Sequence, residues 1–171
     1  MSATMEKEIV GSARARAGKY LTFKLGSEEF GLEILKVQEI IQMQSITRVP
    51  RTPEFVRGVI NLRGKVIPVV DLRLKFGMES TEDTERTCIV VVQIRNATSV
   101  VVMGTIIDEV REVLDIPEAS IEDTPSFGTS IDTEFILGMG KIGQNVKILL
   151  DIDKVLSAQE ISSVVAASPA H

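Results

Sequence analysis

Leu21, Phe23 and Leu25 alternate with Thr22 and Lys24, the period of a strand with one buried face. Gly26-Ser-Glu-Glu then turns the chain into Phe30-Gly-Leu-Glu-Ile34, which predicts a hairpin. Three further runs, Val66–Val70, Ile89–Ile94 and Val100–Met103, are rich in β-branched residues and predict strands. Pro68 has no donor for a ladder, so its strand is expected at a sheet edge or a bulge.

The chain also repeats itself. Thr52-Pro-Glu-Phe-Val-Arg-Gly58 lies over Asp132-Thr-Glu-Phe-Ile-Leu-Gly138, an offset of 80 residues (132 − 52). The same offset carries Val66–Asp71 onto Val146–Asp151, while Gly31–Glu39 lies over Gly104–Glu112 at an offset of 73 (104 − 31). The ordered match of Gly, Glu-Phe, Gly and Asp predicts a duplication into two lobes, about 19–79 and 87–156. Each lobe has the length of a small antiparallel barrel, whose closure removes exposed strand edges.

Around these lobes the pattern turns polar. Met78–Arg86 is expected to be a connecting loop. Thr52-Pro53 and Asp132-Thr133 each resemble an N-cap and first helical position, predicting one helical turn before the glycine. Ser157-Ala-Gln-Glu160 has capping-box spacing, with Ile161, Val164 and Val165 following at helical intervals, so 157–171 reads as a C-terminal helix and tail. Residues 1–18 read as a flexible N-terminal tail.

Composition narrows the function classes. The 171 residues are 44% hydrophobic and 25% charged, enough for a buried core, and carry a net charge of −5. That balance, with aromatics at 4% and no Trp, argues against a nucleic-acid binder, which needs a positive groove and stacking rings. The single His is the last residue, and Cys88 is the single cysteine. Histidine-based nucleophilic sites, structural zinc and internal disulfides are thereby set aside, no GxGxxG opens a helix, and GxxxxGK[ST] does not occur. No enzymatic activity, metal or cofactor is expected. No apolar run reaches the roughly 20 residues of a membrane span, and the start lacks the pattern of a secretory signal, so a cytoplasmic protein is expected.

Where the two copies differ in chemistry, one copy has room for a separate task. Asn61-Leu-Arg-Gly64 lies over Lys141-Ile-Gly-Gln144, so Arg63 stands where the second copy has Gly143 and is not needed to make the turn. It reads either as a solvated turn arginine or as a partner contact held by Glu39, whose counterpart is Glu112. Val37, Ile40, Val110 and Val113 read by default as core, Gly58 and Gly138 as backbone-geometry positions, and Cys88 as a small hydrophobe opening a strand.

Four stretches together resemble the CheW family of bacterial chemotaxis coupling proteins: Tyr20–Gly31, Ile34–Ile40, Thr52–Gly64 and Ile67–Arg73. The resemblance spans about residues 19–160, and Gly-Val-Ile-Asn-Leu-Arg-Gly followed by Pro-Val-Val-Asp-Leu is its most specific part. It implies a mainly β fold of two SH3-like barrels packed together. It also implies a non-catalytic scaffold joining the cytoplasmic tips of chemoreceptors (methyl-accepting chemotaxis proteins) to the regulatory domain of a CheA-type histidine kinase. Recruitment to membrane-associated receptor arrays is implied too, with no direct membrane insertion. By matching positions, receptor contact would fall on Val37, Glu39, Ile40, Gly58 and Arg63, with Val110 and Val113 from the second lobe. An adaptor of a non-flagellar sensory array is the alternative with the same fold.

Overall fold

The first hairpin forms as its alternation predicts: β1 (Gly18–Leu25) pairs antiparallel with β2 (Glu28–Glu33), from Tyr20↔Glu33 to Leu25↔Glu28. The computed structural model describes residues 17–79, 81–95, 99–125 and 134–156. Nine more strands follow: β3 (Val37–Gln42), β4 (Val56–Leu62), β5 (Lys65–Asp71), β6 (Cys88–Arg95), β7 (Val100–Ile107), β8 (Glu109–Ile116), β9 (Ile121–Glu122), β10 (Ile136–Ile142) and β11 (Asn145–Leu150). One-turn helices α1 (Leu72–Lys75) and α2 (Ile152–Val155) follow β5 and β11. Among the described residues no helix is long and apolar enough to cross a membrane.

The strands make two sheets in the orders β8-β1-β2-β11-β10-β9 and β3-β6-β7-β5-β4. The repeat offsets carry β3 onto β8, β4 onto β10 and β5 onto β11, and they superpose the two orders position for position. The lobes nevertheless do not follow the predicted division at residues 79 to 87. The N-terminal hairpin β1–β2 belongs to the sheet of β8–β11, and β6–β7 belongs to the sheet of β3–β5. Each half of the chain has lent its first hairpin to the other half's sheet. Self-comparison aligns segments but does not say in which copy a strand pairs, because both sheets offer equivalent neighbours.

The shared glycines mark where the lent hairpins join. β5 runs parallel to β7 with Val69↔Gly104, and β11 runs parallel to β2 with Leu149↔Gly31. A Cβ on Gly104 would sit 2.8 Å from Ile89 Cγ2, and one on Gly31 would sit 2.9 Å from Leu149 Cδ2. Only glycine allows that approach. Both sheets then close alike. The chain after β3 returns to β4, with Thr47 N donating to Val59 O at 2.9 Å and Val59 N to Thr47 O at 2.8 Å. The chain after β8 returns to β10 through β9, which pairs Glu122 with Met139, the counterpart of Val59.

Three apolar clusters result. Ile60, Ile67, Val69, Ile89, Val91 and Ile106 fill one barrel, and Tyr20, Ile116, Ile121, Leu137 and Leu149 fill the other. The largest lies between the sheets, where Phe23, Phe30, Leu32, Val70, Val90, Val92 and Leu150 meet. Replacing a buried core aromatic such as Phe23 with alanine costs about 3–5 kcal/mol.

Two local readings are corrected. β5 has neighbours on both sides, so Pro68 is not on an edge; it immediately precedes Val69, the first residue paired to β7, and lies where that ladder has not begun. The Thr52-Pro53 segment is a turn rather than a helix, with Val56 N donating to Pro53 O and Thr52 Oγ1 donating back to Val49 O. The helix forms instead after Asp71, whose carboxylate accepts from Arg73 N and Leu74 N as an N-cap. Asp132-Thr133 and the helix expected from Ser157 lie outside the described residues.

Candidate functional site

The Glu39 carboxylate receives both Nη groups of Arg63, with Nη1 3.1 Å from Oε1 and Nη2 on Oε2. β3 and β4 are the opposite edges of one sheet, so the pair spans the seam that Thr47 and Val59 close with backbone bonds. The guanidinium hydrogen bond holds the Glu39 carboxyl below the usual carboxylate range, and the carboxylate pushes the Arg63 pKa up in turn. The Arg63 side chain is 66% exposed and that of Glu39 is 26% exposed. A pair so exposed adds little to the stability of the fold, and its larger effect is to aim the guanidinium.

Arg63 also sits at φ 52, followed by Gly64 at φ 87. Two positive φ values in a two-residue hairpin loop suit a type I′ turn, which favours Asn, Asp or Gly at the first position. The second copy has Gly143 there at φ 62. An L-residue in this region costs about 1–2 kcal/mol, so the arginine is held at a cost that Gly143 avoids.

The apolar members are set by a bulge. Val37 pairs with Val92, and then Glu39 pairs with Val91, so Gln38 is the extra residue of a bulge in the backbone register. Regular alternation would put Val37 and Glu39 on one face. With the bulge, Val37 and Ile40 fall on the face of Val92 and Val90, where Val37 packs against the central cluster and Ile40 stays exposed, while Glu39 turns with Val91 toward the barrel and Arg63. The same device recurs in β8. Glu112 pairs with Thr22 and Val110 with Phe23, so Arg111 is the unpaired residue, and Val110 and Val113 fall on the face of Phe23 and Leu21.

Ile40 is 44% and Val113 is 50% exposed, whereas Val37 and Val110 are half-buried against the central cluster. Each edge strand therefore shows an anchored valine beside a solvent-facing aliphatic residue. Gly58 is different. It is buried at φ 143 beneath the returning chain, and an added Cβ would lie 2.0 Å from Thr47 O. Gly58 shapes the seam and presents no surface of its own.

Periodicity missed Leu35, which stands 92% exposed in the 3-10 turn Ile34–Lys36. A single turn between two strands leaves too few residues for an alternation to register. Cys88 opens β6 as expected and is half-buried, and burial raises its thiol pKa.

The description "CheW-like domain" fits residues 19–160 of the chain. The chain belongs to the CheW-like family. It is 38% identical over 153 residues to the chemotaxis protein CheW of Klebsiella aerogenes, covering 90% of each chain. It is 32% identical over 148 residues to the chemotaxis protein CheW of Bacillus subtilis, covering 86% of this chain and 92% of the relative. Among solved structures it is similar to the scaffolding protein TtCheW from Thermoanaerobacter tengcongensis, with a TM-score of 0.73 and 37% identity. That match covers 85% of this chain and 96% of the other. The two-lobed SH3-like β architecture is therefore a family property, and the exchanged hairpins show how this chain builds it.

Proposed function

We propose that this chain is a non-catalytic chemotaxis scaffold that joins the cytoplasmic tips of chemoreceptors to the regulatory domain of a CheA-type histidine kinase. It works in the cytoplasm, at the inner face of membrane-associated receptor arrays. The observation that carries this reading is Arg63, fixed by Glu39 and kept in a left-handed turn where glycine would be cheaper.

An apolar patch flanked by one oriented charge suits a helical receptor tip. Ile40 and Val113 provide exposed apolar area, with Val37 and Val110 anchored behind them, and Arg63 supplies one oriented charge. Gly58 contributes indirectly, by letting the returning chain close the seam beside which Glu39 and Arg63 meet.

The test is autophosphorylation of a CheA-type kinase reconstituted with native receptor and ATP, with and without this protein. A rise that Arg63→Gly abolishes supports the scaffold and its receptor edge. A rise untouched by that change keeps the scaffold and discards the site. No rise with a folded protein overturns the function.

A further inference from the structure

Among the described residues, the non-glycine residues at positive φ are both arginines, Arg63 and Arg51. Arg51, at φ 64, follows Pro50 in a turn that Thr52 Oγ1 ties to Val49 O at 2.9 Å. A positive-φ position after proline is where a type II turn favours glycine or asparagine. Arg51 thus carries the same kind of backbone cost as Arg63.

Arg51 lines a 340 Å³ cleft with Arg48, Arg57 and Glu54. Arg57 is the unpaired residue of the β4 bulge, between Val56↔Val70 and Gly58↔Val69. Its Nη1 lies 3.2 Å from Asp71 Oδ2, and Asp71 is buried and already bonded to two α1 amides, so this guanidinium is fixed. Its Nη2 lies 3.3 Å from Asp83 Oδ2. Arg48 and Arg51 make no ion pair among the described residues.

Asp83 belongs to an acidic stretch of which Glu79, Glu82 and Asp83 line an adjoining cavity that shares Arg48, Glu54 and Arg57. A carboxylate from an acidic segment of the same chain is thus already seated on Arg57, while Arg48 and Arg51 hold none among the described residues. We propose that this cleft is a docking site for an acidic peptide segment of a partner protein. The segment's carboxylates continue onto Arg48 and Arg51 the line that Asp83 begins on Arg57. Arginine forks suit carboxylates in this role.

The experiment uses the full chain and a fluorescein-labelled hexaglutamate peptide, read by fluorescence anisotropy. Saturable binding is expected at low salt and loss of binding near 1 M salt, where the screening length falls to about 3 Å. Arg48→Gln with Arg51→Gly should weaken binding by about tenfold or more, about 1.4 kcal/mol. Glycine accepts φ 64 freely, so the melting curve of that variant should be unchanged or shifted upward. Asp83→Asn, which frees Arg57, should tighten binding several-fold. Arg63→Gly should leave peptide binding unaltered, which separates this cleft from the receptor edge. No saturable binding at low salt, equal binding by the Arg48/Arg51 variant, or tighter binding of a single-stranded oligonucleotide of equal charge would each overturn the proposal.

Discussion

Glu39 and Arg63 stand on opposite edges of one five-stranded sheet, and their side chains meet across the seam between those edges. The contact has two consequences that pull apart. The ion pair adds little stability, and the left-handed turn that presents Arg63 removes some.

Arg63→Gly and Arg63→Ala should therefore differ in stability although both delete the guanidinium. Alanine loses the pair and keeps the unfavourable φ, whereas glycine loses the pair and relieves the backbone. Thermal melts should place the glycine variant about 1 kcal/mol above the alanine variant, with both inactive in kinase coupling. Equal melting temperatures would mean that the backbone cost is absent.

Gly58→Ala should be severe. Its Cβ would lie 2.0 Å from the Thr47 carbonyl oxygen, a backbone atom that cannot swing aside. The two hydrogen bonds of the seam must then break or the bulge must be rebuilt, at a cost of about 2–4 kcal/mol. A urea titration should show the midpoint falling, with Ile46 and Thr47 losing amide protection first.

Lys147 is buried with 5% exposure, at the position where the first copy has Ile67. Its ammonium donates to Glu29, and that hydrogen bond holds the Glu29 carboxyl below its ordinary range. A carboxyl with a lowered folded pKa contributes stability above its unfolded value, about 4.3, that is lost as pH falls through the folded value. Glu29→Gln, which strands the lysine, should cost about 1–3 kcal/mol near neutral pH. Lys147→Met, which restores an apolar side chain, should be neutral or stabilising near neutral pH. Its stability relative to wild type should rise further as pH drops below about 4. Denaturant titrations from pH 3 to 7 check both signs.

Cutting the chain in the 79–86 loop should yield two halves that do not fold alone. Residues 1–82 would hold β3, β4 and β5 without the β6–β7 pair that their sheet needs between β3 and β5, and 83–171 would lack β1–β2 in the same way. Circular dichroism and amide exchange on each fragment should report an unfolded chain, and mixing the two should restore β structure. A folded single half would show that each lobe can pair within its own segment.

Much of this was legible in the residues because its physics is local. The hairpin at Leu21–Ile34 follows from alternation and a glycine turn. The duplication follows from repeated glycines whose spacing matches a close approach made twice, Gly31 on Leu149 and Gly104 on Val69. The exchange of hairpins was not legible, since Val69 has no local reason to choose Gly104 over an equivalent strand in its own half. The bulges at Gln38 and Arg111 were equally hidden. A one-residue slip leaves no trace in an apolar count, yet it places Ile40 beside Val37 and turns Glu39 away. The Arg63–Glu39 contact was legible only as opposite charges, and Gly143 opposite Arg63 was the one hint of the φ it adopts.

The lent hairpins also set the order of events at the ribosome. Residues 18–33 emerge well before their partner strands in the same sheet, which lie between residues 109 and 150. Neither lobe can be completed from the first half of the nascent chain, so folding waits for nearly the whole polypeptide and proceeds through contacts far apart along it. The two lobes must then arise together, and a truncated translation product has no finished barrel.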